Sequence, residues 1–254
     1  MISLAGKAAL VTGGSRGIGA ATVKLFARAG ADVIFSYNRK REAAAQVEQE
    51  ARKNGTRIES FKADLGKMEE AKKLVDFACE RLGHLDILVA SAGVWNDKDA
   101  PIENLTEREW DKMMRVNLKS VYAVIHFAVP HMIAQRGGRI VALSSTAGQR
   151  GESLHTHYGA SKGALISFVK GLSTELARHN ILVNCVAPGW VDTDMAASVL
   201  RTKAGLKSAL APIPLKRVAT AEEIAGPILF AVSDLATFIT GEVINVNGGS
   251  ILCG

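Results

Sequence analysis

Short apolar segments rich in β-branched residues alternate along the chain with longer segments whose apolar residues recur every three or four positions. The short segments predict seven strands, at residues 8–12, 32–37, 58–62, 87–90, 138–143, 181–186 and 243–246. The longer segments have the length and period of helices, as in residues 158–179, where Leu165, Val169 and Leu172 follow that spacing. Because strands and helices alternate, we predict an α/β fold with a parallel sheet, right-handed crossovers and helices on both faces.

The even distribution of these elements indicates a single unit. The 254 residues contain no linker rich in proline, glycine or serine, and no repeat or low-complexity tract that would divide them. We therefore predict one doubly wound domain of the Rossmann type over residues 1–254, with a seven-stranded parallel sheet flanked by helices. One irregular segment, residues 188–215, is too long for a simple connection. It is a candidate substrate loop, and a surface insertion without function is the alternative.

The composition is that of a folded protein with a large core. Hydrophobic residues make up 48% of the chain and charged residues 22%. No apolar run approaches the roughly 18–20 residues needed to span a bilayer, so we expect a cytoplasmic protein without a membrane partner. The formal net charge of +6 is dispersed, which gives no support to a nucleic-acid partner. Cys79, Cys185 and Cys253 lack ligand spacing, and we expect reduced thiols and no metal site.

A glycine-rich turn follows the first predicted strand and opens the next helix. It has the sequence Gly13-Gly14-Ser15-Arg16-Gly17-Ile18-Gly19. Glycines let the backbone approach a pyrophosphate closely, and the amides at a helix N-terminus stabilise its negative charge. The strand, the turn and the helix together predict a dinucleotide site, whereas an ordinary structural turn is the alternative.

The end of the second predicted strand indicates which dinucleotide is bound. An acidic residue there would bind the ribose hydroxyls of NAD and repel a 2′-phosphate. This chain has Tyr37, Asn38 and Arg39 instead, while Asp32 lies at the beginning of the strand. Arg39 and Arg16 could bind a 2′-phosphate through charge-assisted hydrogen bonds, so the sequence favours NADP(H). Solvated surface arginines are the alternative.

Tyr158 and Lys162 are four positions apart near the start of a predicted helix, so their side chains share one face. A free tyrosine, with a pKa of about 10, is a poor acid or base at neutral pH, and a nearby ammonium brings its pKa towards the working range. Ser145, at the end of the fifth strand, could donate a hydrogen bond to a substrate oxygen. These residues predict proton transfer at a carbonyl or hydroxyl oxygen, and a chance pairing on a helix is the alternative.

These motifs occur in the order typical of one known family. Over essentially its whole length, the chain resembles the short-chain dehydrogenases/reductases, through Thr12, Gly13, Gly17, Ile18, Gly19, Asp64, Asn117, Ser145, Tyr158, Lys162, Pro188, Gly189 and Thr193. The resemblance implies that Tyr158 is the general acid in reduction, that Ser145 orients the carbonyl and that Lys162 tunes Tyr158 and binds the nicotinamide ribose. It also implies that Asn117 holds a water linking Lys162 to solvent, although a helix irregularity capped by this side chain is the alternative.

The same resemblance implies a cofactor site around the glycine-rich turn. Its residues are Gly13, Ser15, Arg16, Gly17, Ile18, Gly19, Tyr37, Asn38, Arg39, Asp64, Leu65, Ala90, Ser91, Ala92, Gly93, Tyr158, Lys162, Pro188, Gly189, Val191 and Thr193. Asp64 would lie beside the adenine, with a turn cap as its alternative role. Where the family usually has Asn-Asn-Ala-Gly, this chain has Ala90-Ser91-Ala92-Gly93. The first asparagine would tie neighbouring strands together, so we expect a weaker sheet at Ala90.

Two histidines and two tryptophans lie near the predicted catalytic residues. His155 and His157 have no acidic or cysteine partner at ligand spacing, so we interpret them as loop residues that line the mouth of the pocket. Extra acids or metal ligands are the alternatives. Trp95 follows the fourth strand and Trp190 follows Gly189, which favours a place in the substrate or cofactor pocket, with simple packing as the alternative.

The resemblance implies an oxidoreductase that transfers a hydride between NADP(H) and a carbonyl or secondary alcohol. It is nearest to the bacterial 3-oxoacyl-(acyl-carrier-protein) reductases of fatty acid biosynthesis, including the ending Val246-Asn247-Gly248-Gly249. The expected substrate is a 3-oxoacyl thioester on an acidic carrier protein, which the positive chain would attract. A sugar or polyol dehydrogenase is the main alternative, because residues 149–153 are polar. A non-catalytic NADP(H)-sensing module is a more remote one.

The resemblance further implies a homotetramer, with helices at the outer sheet edge and residues 249–254 in its interfaces. Two predicted helices, at residues 121–129 and 224–232, are more apolar than helices exposed on one side usually need to be. This pattern supports the expectation that other copies of the chain cover part of the surface.

Overall fold

The computed structural model describes residues 2–252. Within them, seven strands form one sheet: β1 (Ala8–Thr12), β2 (Asp32–Tyr37), β3 (Ile58–Lys62), β4 (Ile87–Ala90), β5 (Gly138–Leu143), β6 (Ile181–Pro188) and β7 (Val243–Val246). All pairings are parallel, in the order β3-β2-β1-β4-β5-β6-β7. The predicted strands are confirmed, and only β6 differs in length. It continues to Pro188 because its last two residues pair with β7.

Helices connect the strands and cover both faces of the sheet. The α-helices are α1 (Gly17–Arg28), α2 (Arg41–Arg52), α3 (Met68–Leu82), α4 (Glu107–Met114), α5 (Ser120–Ala134), α6 (Thr146–Arg150), α7 (Thr156–Leu176), α8 (Ala197–Leu200), α9 (Lys203–Leu210) and α10 (Ala221–Val232). A π-helix at Arg115–Lys119 continues α4 into α5. The loops that leave the carboxyl ends of the strands all emerge at one edge of the sheet.

Alternate residues of the central strands bury their side chains on opposite faces. Leu10 and Leu88 belong to a core formed with α3, α5 and α7. Val11 and Val89 belong to a second core formed with α1, α2 and α10. The doubly wound α/β fold is therefore confirmed. In such a fold, ligands bind outside the carboxyl ends of the strands, where the strand order reverses.

The segment at residues 188–215 is more regular than expected. It begins within β6 and contains the short helices α8 and α9. Its end packs on the C-terminal turn, where the Leu215 amide donates to the carbonyl oxygen of Gly248 at 3.3 Å. Gly248 has a φ of +64°, and a Cβ at this position would lie 2.8 Å from Ile213. The segment is thus a helical insertion that rests on the turn after β7.

Within residues 2–252, no helix is both long and apolar enough to cross a bilayer. In the same residues, no cluster of three His, Cys, Asp or Glu side chains is arranged to hold a metal ion. Cys79 is half-buried and Cys185 is buried, and neither forms a disulfide. Cys253 and the end of the predicted interface segment 249–254 lie outside the described residues.

Candidate active site

A cavity of about 550 Å³ lies at the carboxyl edge of the sheet, a size typical of small-molecule sites. The predicted site residues that line it are Gly13, Ser15, Arg16, Gly17, Ile18, Gly19, Tyr37, Asn38, Arg39, Asp64, Leu65, Ser91, Ala92, Gly93, Ser145, Tyr158, Lys162, Pro188, Gly189, Val191 and Thr193. Two predicted residues do not line it. Ala90 is buried within β4, and Asn117 is fully buried behind the wall. The fold thus brings almost the whole predicted set into one space.

The glycine-rich turn has a backbone that side chains would obstruct. Gly13 has a φ of +71°, and a Cβ there would lie 2.9 Å from the Cα of Ala92. A Cβ on Gly19 would collide with the carbonyl oxygen of Gly13. Arg16, at the N-cap of α1, makes no side-chain cap, so the amides of the first turn keep their donors for another partner. A pyrophosphate fits this arrangement, because it would meet both backbone donors and the positive end of the helix.

A basic corner lies at the end of β2. Tyr37, Asn38, Arg39 and Lys40 line the cavity there. Asp32 lies at the opposite end of the strand, where its Oδ1 accepts a hydrogen bond from the Arg57 amide at 2.7 Å. The strand end that faces the cavity therefore carries positive charge and no carboxylate.

Arg16 and Arg39 differ in their surroundings. The Arg16 guanidinium lies 3.6 Å from a carboxylate oxygen of Asp194, in an exposed ion pair. Arg39 lines the cavity without an ion pair to any of the described residues. An incoming phosphate would have to compete with Asp194 for Arg16, whereas Arg39 is available.

Asp64 has the alternative role of a turn cap, and it also lines the cavity. Its Oδ1 accepts from the Gly66 amide at 3.2 Å, which caps the turn after β3, and the side chain also lines the cavity. Both carboxylate oxygens accept from Nη1 of Arg115 at 3.2 Å. Sequence reasoning missed Arg115, which lies in the π-helix 51 residues away, because no local pattern indicates such a contact.

Asn117 is held by the segment after β4. Its Oδ1 accepts from the Val94 amide at 2.8 Å, and its Nδ2 donates to the Val94 carbonyl at 2.9 Å and to Oγ of Ser161 at 3.2 Å. The expected helix irregularity exists as the π-helix. The Asn117 amide, however, mainly joins that helix to Val94 and to α7. A Cβ on Gly93 would lie 3.4 Å from Oδ1 of Asn117 and 3.5 Å from Nζ of Lys162, so both side chains stand directly behind Gly93.

Lys162 is directed towards the sheet more than towards the tyrosine. Its buried Nζ donates to the carbonyl oxygen of Leu143 at 2.7 Å and lies 5.9 Å from the centroid of the Tyr158 ring. Burial lowers the pKa of Lys162 to about 8. The ammonium is therefore still the main form at neutral pH, but it is lost more easily than on an exposed lysine.

The pKa of Tyr158 is raised in this structure, whereas the spacing of Tyr158 and Lys162 predicted a lowered pKa. Burial of the phenol raises the pKa of Tyr158 above its usual value, and the Glu152 carboxylate acts in the same direction. The Ser145 hydroxyl opposes this shift but does not outweigh it. Because burial raises a pKa that is ordinarily about 10, the phenol keeps its proton at neutral pH.

Ser145 is fixed by the contact of α6 with α7. Its Oγ accepts from the Ala147 amide at 3.1 Å and caps α6. The neighbouring Ser144 donates its hydroxyl to the Lys162 carbonyl at 2.8 Å. A Cβ on Gly148 would lie 2.6 Å from the main chain of Lys162, so glycine allows the two helices to approach closely. These contacts set the Ser145 hydroxyl beside Tyr158.

The sheet is continuous at Ala90, where we expected it to be weaker. Ala90 pairs with Thr12 on one side and with Ala142 on the other. The buried hydroxyl of Thr12 accepts from the amides of Ser91 and Ala92 at 3.1 and 3.0 Å. Thr12 therefore ties β1 to the segment after β4 without an asparagine side chain.

The two histidines do not line the pocket mouth, contrary to our interpretation. His155 is 7% exposed and His157 is 1% exposed, and His157 lies in the first turn of α7. Burial lowers the pKa of His157. The prediction failed because it treated residues before Tyr158 as an exposed loop. Trp95 and Trp190, by contrast, both line the cavity.

A glycine-rich turn at a helix N-terminus that shares one cavity with a half-buried tyrosine and a buried lysine is typical of a nucleotide-dependent oxidoreductase. Residues 13–250 match a family model described as enoyl-(acyl carrier protein) reductase, which is a model of the short-chain dehydrogenases/reductases. The chain belongs to that family. It is an oxidoreductase that acts on CH–OH groups with a nicotinamide cofactor.

Similar proteins cover nearly the whole chain. A 3-oxoacyl-(acyl-carrier-protein) reductase of Thermotoga maritima is 38% identical over 249 residues, which are 98% of this chain and 99% of the relative. The enzyme of that name from Aquifex aeolicus is 40% identical over 248 residues, with 98% of each chain covered. A crystal structure of a short-chain dehydrogenase from Burkholderia cenocepacia in complex with NADP has a TM-score of 0.89 and 34% identity, and covers 97% of this chain and 98% of that one.

Proposed function

We propose that this protein is an NADP(H)-dependent carbonyl reductase with one catalytic domain. The observation that carries the proposal is the shared cavity, which joins the glycine-rich turn and the Arg39 corner to Ser145, Tyr158 and Lys162. When bound, the nicotinamide ring would supply or accept the hydride. The side chains of the protein would bind the reactants and move the proton.

The residues around the substrate oxygen would have distinct roles. Tyr158 would give its proton to the oxygen during reduction, and its raised pKa keeps that proton in place at neutral pH. Ser145 would donate a hydrogen bond to the same oxygen as negative charge develops. Lys162 would hold the nicotinamide ribose through its ammonium, which is the main form at neutral pH. Asn117 would keep Gly93 and Lys162 in place and hold a water beside the lysine.

The cofactor preference would come from the basic corner. Arg39 and Arg16 would bind a 2′-phosphate, and the absence of a carboxylate at the described end of β2 removes the repulsion that selects NAD. The Burkholderia cenocepacia relative in complex with NADP supports this choice.

For the substrate we propose a 3-oxoacyl thioester, on the evidence of the relatives' names and of the net charge of +6. The main argument for a sugar or polyol was a polar run near Tyr158, but its members are partly engaged with one another or with β7. Arg150 pairs with Glu152 at 2.8 Å, and Gln149 donates to Asn245 at 2.6 Å. Fewer of these groups are therefore open to substrate hydroxyls.

Two further features belong to this proposal. Residues 188–215 would act as the substrate loop, since 188–191 and 193–196 line the cavity and α8 and α9 follow. A homotetramer would cover apolar side chains in the segment before the edge strand β7, where Phe238 is fully exposed and Leu235 is 70% exposed.

The experiment that tests the function follows nicotinamide absorbance with NADPH or NADH and with acetoacetyl-CoA, a carrier-bound 3-oxoacyl chain or a sugar. We expect NADPH and the thioesters to give the higher kcat/KM. Arg39→Glu should shrink the NADPH preference by about ten- to a hundredfold, as expected for loss of a charge-assisted contact, whereas the neighbouring Arg41→Glu should not. Equal or better efficiency with NADH would refute the cofactor assignment, and turnover of the sugar alone would refute the thioester. Cofactor binding without turnover of any substrate would favour a sensing module.

A further inference from the structure

We propose that this active site also reduces carbonyl compounds that carry a planar aromatic ring next to the carbonyl carbon, with the ring bound against Trp95 and Trp190. The inference rests on the proposed hydride transfer, because it adds a second substrate class to the same site. It is carried by an aromatic cluster on the substrate side of the cavity.

The topology brings the two indoles together beside the catalytic serine. Trp95 follows β4, Trp190 follows β6, and β5, which leads to Ser145, lies between those strands. The indole centroids are 5.9 Å apart, with their planes at 86°. Both side chains are half-buried and line the cavity that contains Ser145 and Tyr158. Part of a two-sided aromatic surface therefore stays open where the carbonyl must bind.

The cluster is packed from behind against the chain before α7. The imidazole of His155 stacks on Trp95 with centroids 5.0 Å apart and planes at 23°, and this histidine is itself buried. The amide of Ala100 donates to the carbonyl of Leu154 at 2.8 Å, which ties the Trp95 segment to the chain before α7. Packing of this kind restricts the rotamers of Trp95 before a ligand binds, which lowers the entropy lost when a flat ring stacks on it.

The remaining groups near the cluster favour a flat apolar ligand over a polyol. Val94 and Met195 line the same cavity, and a thioether makes favourable contacts with ring edges. Arg150 and Glu152 also line it, but they form an ion pair with each other. Sugar hydroxyls would have to share these two groups with the ion pair, whereas an aromatic ring needs no hydrogen bond from them.

The test compares two esters that differ only in the group beside the ketone, ethyl benzoylacetate and ethyl acetoacetate. NADPH oxidation by each is measured for the wild type, for Trp95→Leu and Trp190→Leu, and for Trp110→Leu as a control on the outer face of α4. The ratio of kcat/KM for ethyl benzoylacetate to kcat/KM for ethyl acetoacetate should fall about tenfold or more in the two variants at Trp95 and Trp190. It should stay unchanged in the Trp110→Leu control. Comparing ratios removes the intrinsic difference in reactivity between the ketones. Trp95→Phe should restore most of the ratio.

A binding measurement separates this inference from the proposed function. Calorimetry of ethyl benzoylacetate with NADP-loaded Tyr158→Phe should show affinity that falls about tenfold when Trp95→Leu is added. If neither ester oxidises NADPH but this binding remains, the proposed chemistry is refuted and the ring site stands. If both esters are reduced and their ratio changes less than twofold in both tryptophan variants, the ring site is refuted and the chemistry stands.

Discussion

In the glycine-rich turn and the basic corner at the end of β2, residues that line the cavity together are neighbours in the chain, whereas around Trp95 and Trp190 they come from distant segments. The turn from Gly13 to Gly19 and the end of β2 work through the backbone and through adjacent side chains. Trp95, His155 and Trp190 meet only because three strand ends lie side by side. A site built from backbone groups can therefore be predicted from a local sequence motif. A site built from side chains of distant segments can be predicted only once the strand order of the sheet is known.

The largest effect should come from a substitution that lowers kcat without changing the affinity for NADPH. Tyr158→Phe removes one hydroxyl and keeps the ring, so the fold and NADPH affinity should stay close to wild type. Loss of the proton donor should lower kcat by about 10²–10⁴-fold, the usual contribution of general acid catalysis. Steady-state kinetics and fluorescence titration of NADPH measure the two quantities.

Retention of near-normal kcat in Tyr158→Phe would contradict the assigned role of the phenol. A parallel loss of NADPH affinity would show that the two sides of the cavity are not separable at this residue. Tyr122→Phe, on the exposed side of α5, is the matched control and should change neither quantity.

Lys162 is the residue where the two sides meet, and its burial gives a second, smaller prediction. The pKa of Lys162 is lowered from 10.5 to about 8, so the folded chain loses this proton before the unfolded chain does. Below pH 8, Lys162 is charged in both the folded and the unfolded chain, so folding carries the full free-energy cost of burying an ammonium. This cost shrinks as the pH rises towards 10.5. Lys162→Met should therefore stabilise the protein by up to about 3 kcal/mol at pH 7 and by less at pH 10.

Urea unfolding at both pH values measures this stability difference, with the exposed Lys170→Met on the same helix as control. The affinity for NADPH should decrease in Lys162→Met, although the stability of the fold increases. In the wild type it should weaken as pH rises through about 8, because the ammonium is lost, and in Lys162→Met it should be weaker and independent of pH over that range. A variant less stable than wild type at pH 7 would show that the bond to Leu143 outweighs the burial of the charge.

The same contrast explains what could be predicted from the sequence. Strand positions were predictable because buried parallel strands are short, continuous apolar segments, and the glycine-rich turn because its glycines follow from backbone geometry. The extension of β6 to Pro188 depends on pairing with β7, which lies more than fifty residues later. The short helices α8 and α9 have too few turns to show a period.

Burial decides the cases in which sequence reasoning about chemistry failed. The spacing of Tyr158 and Lys162 places both on one face of α7 but does not show that Nζ reaches Leu143. Nor does the polar run before Tyr158 show that His155 and His157 are buried. In each case the surroundings of the side chain come from segments that pack on it from elsewhere in the chain, which no local pattern contains.

The smallest effect should come from Arg115, which joins Asp64 to the π-helix that contains Asn117. Its ion pair with Asp64 is partly exposed, with 43% and 31% of the two side chains accessible, and such pairs contribute about 0–1 kcal/mol. Asp64 would keep its hydrogen bond to the Gly66 amide without it. Arg115→Gln should therefore change NADPH affinity less than about fivefold and leave kcat near wild type, as should the exposed control Arg108→Gln. A tenfold or greater loss of kcat confined to Arg115→Gln would mean that the ion pair positions Asn117. The two sides of the cavity would then be coupled through the π-helix and not only through Lys162.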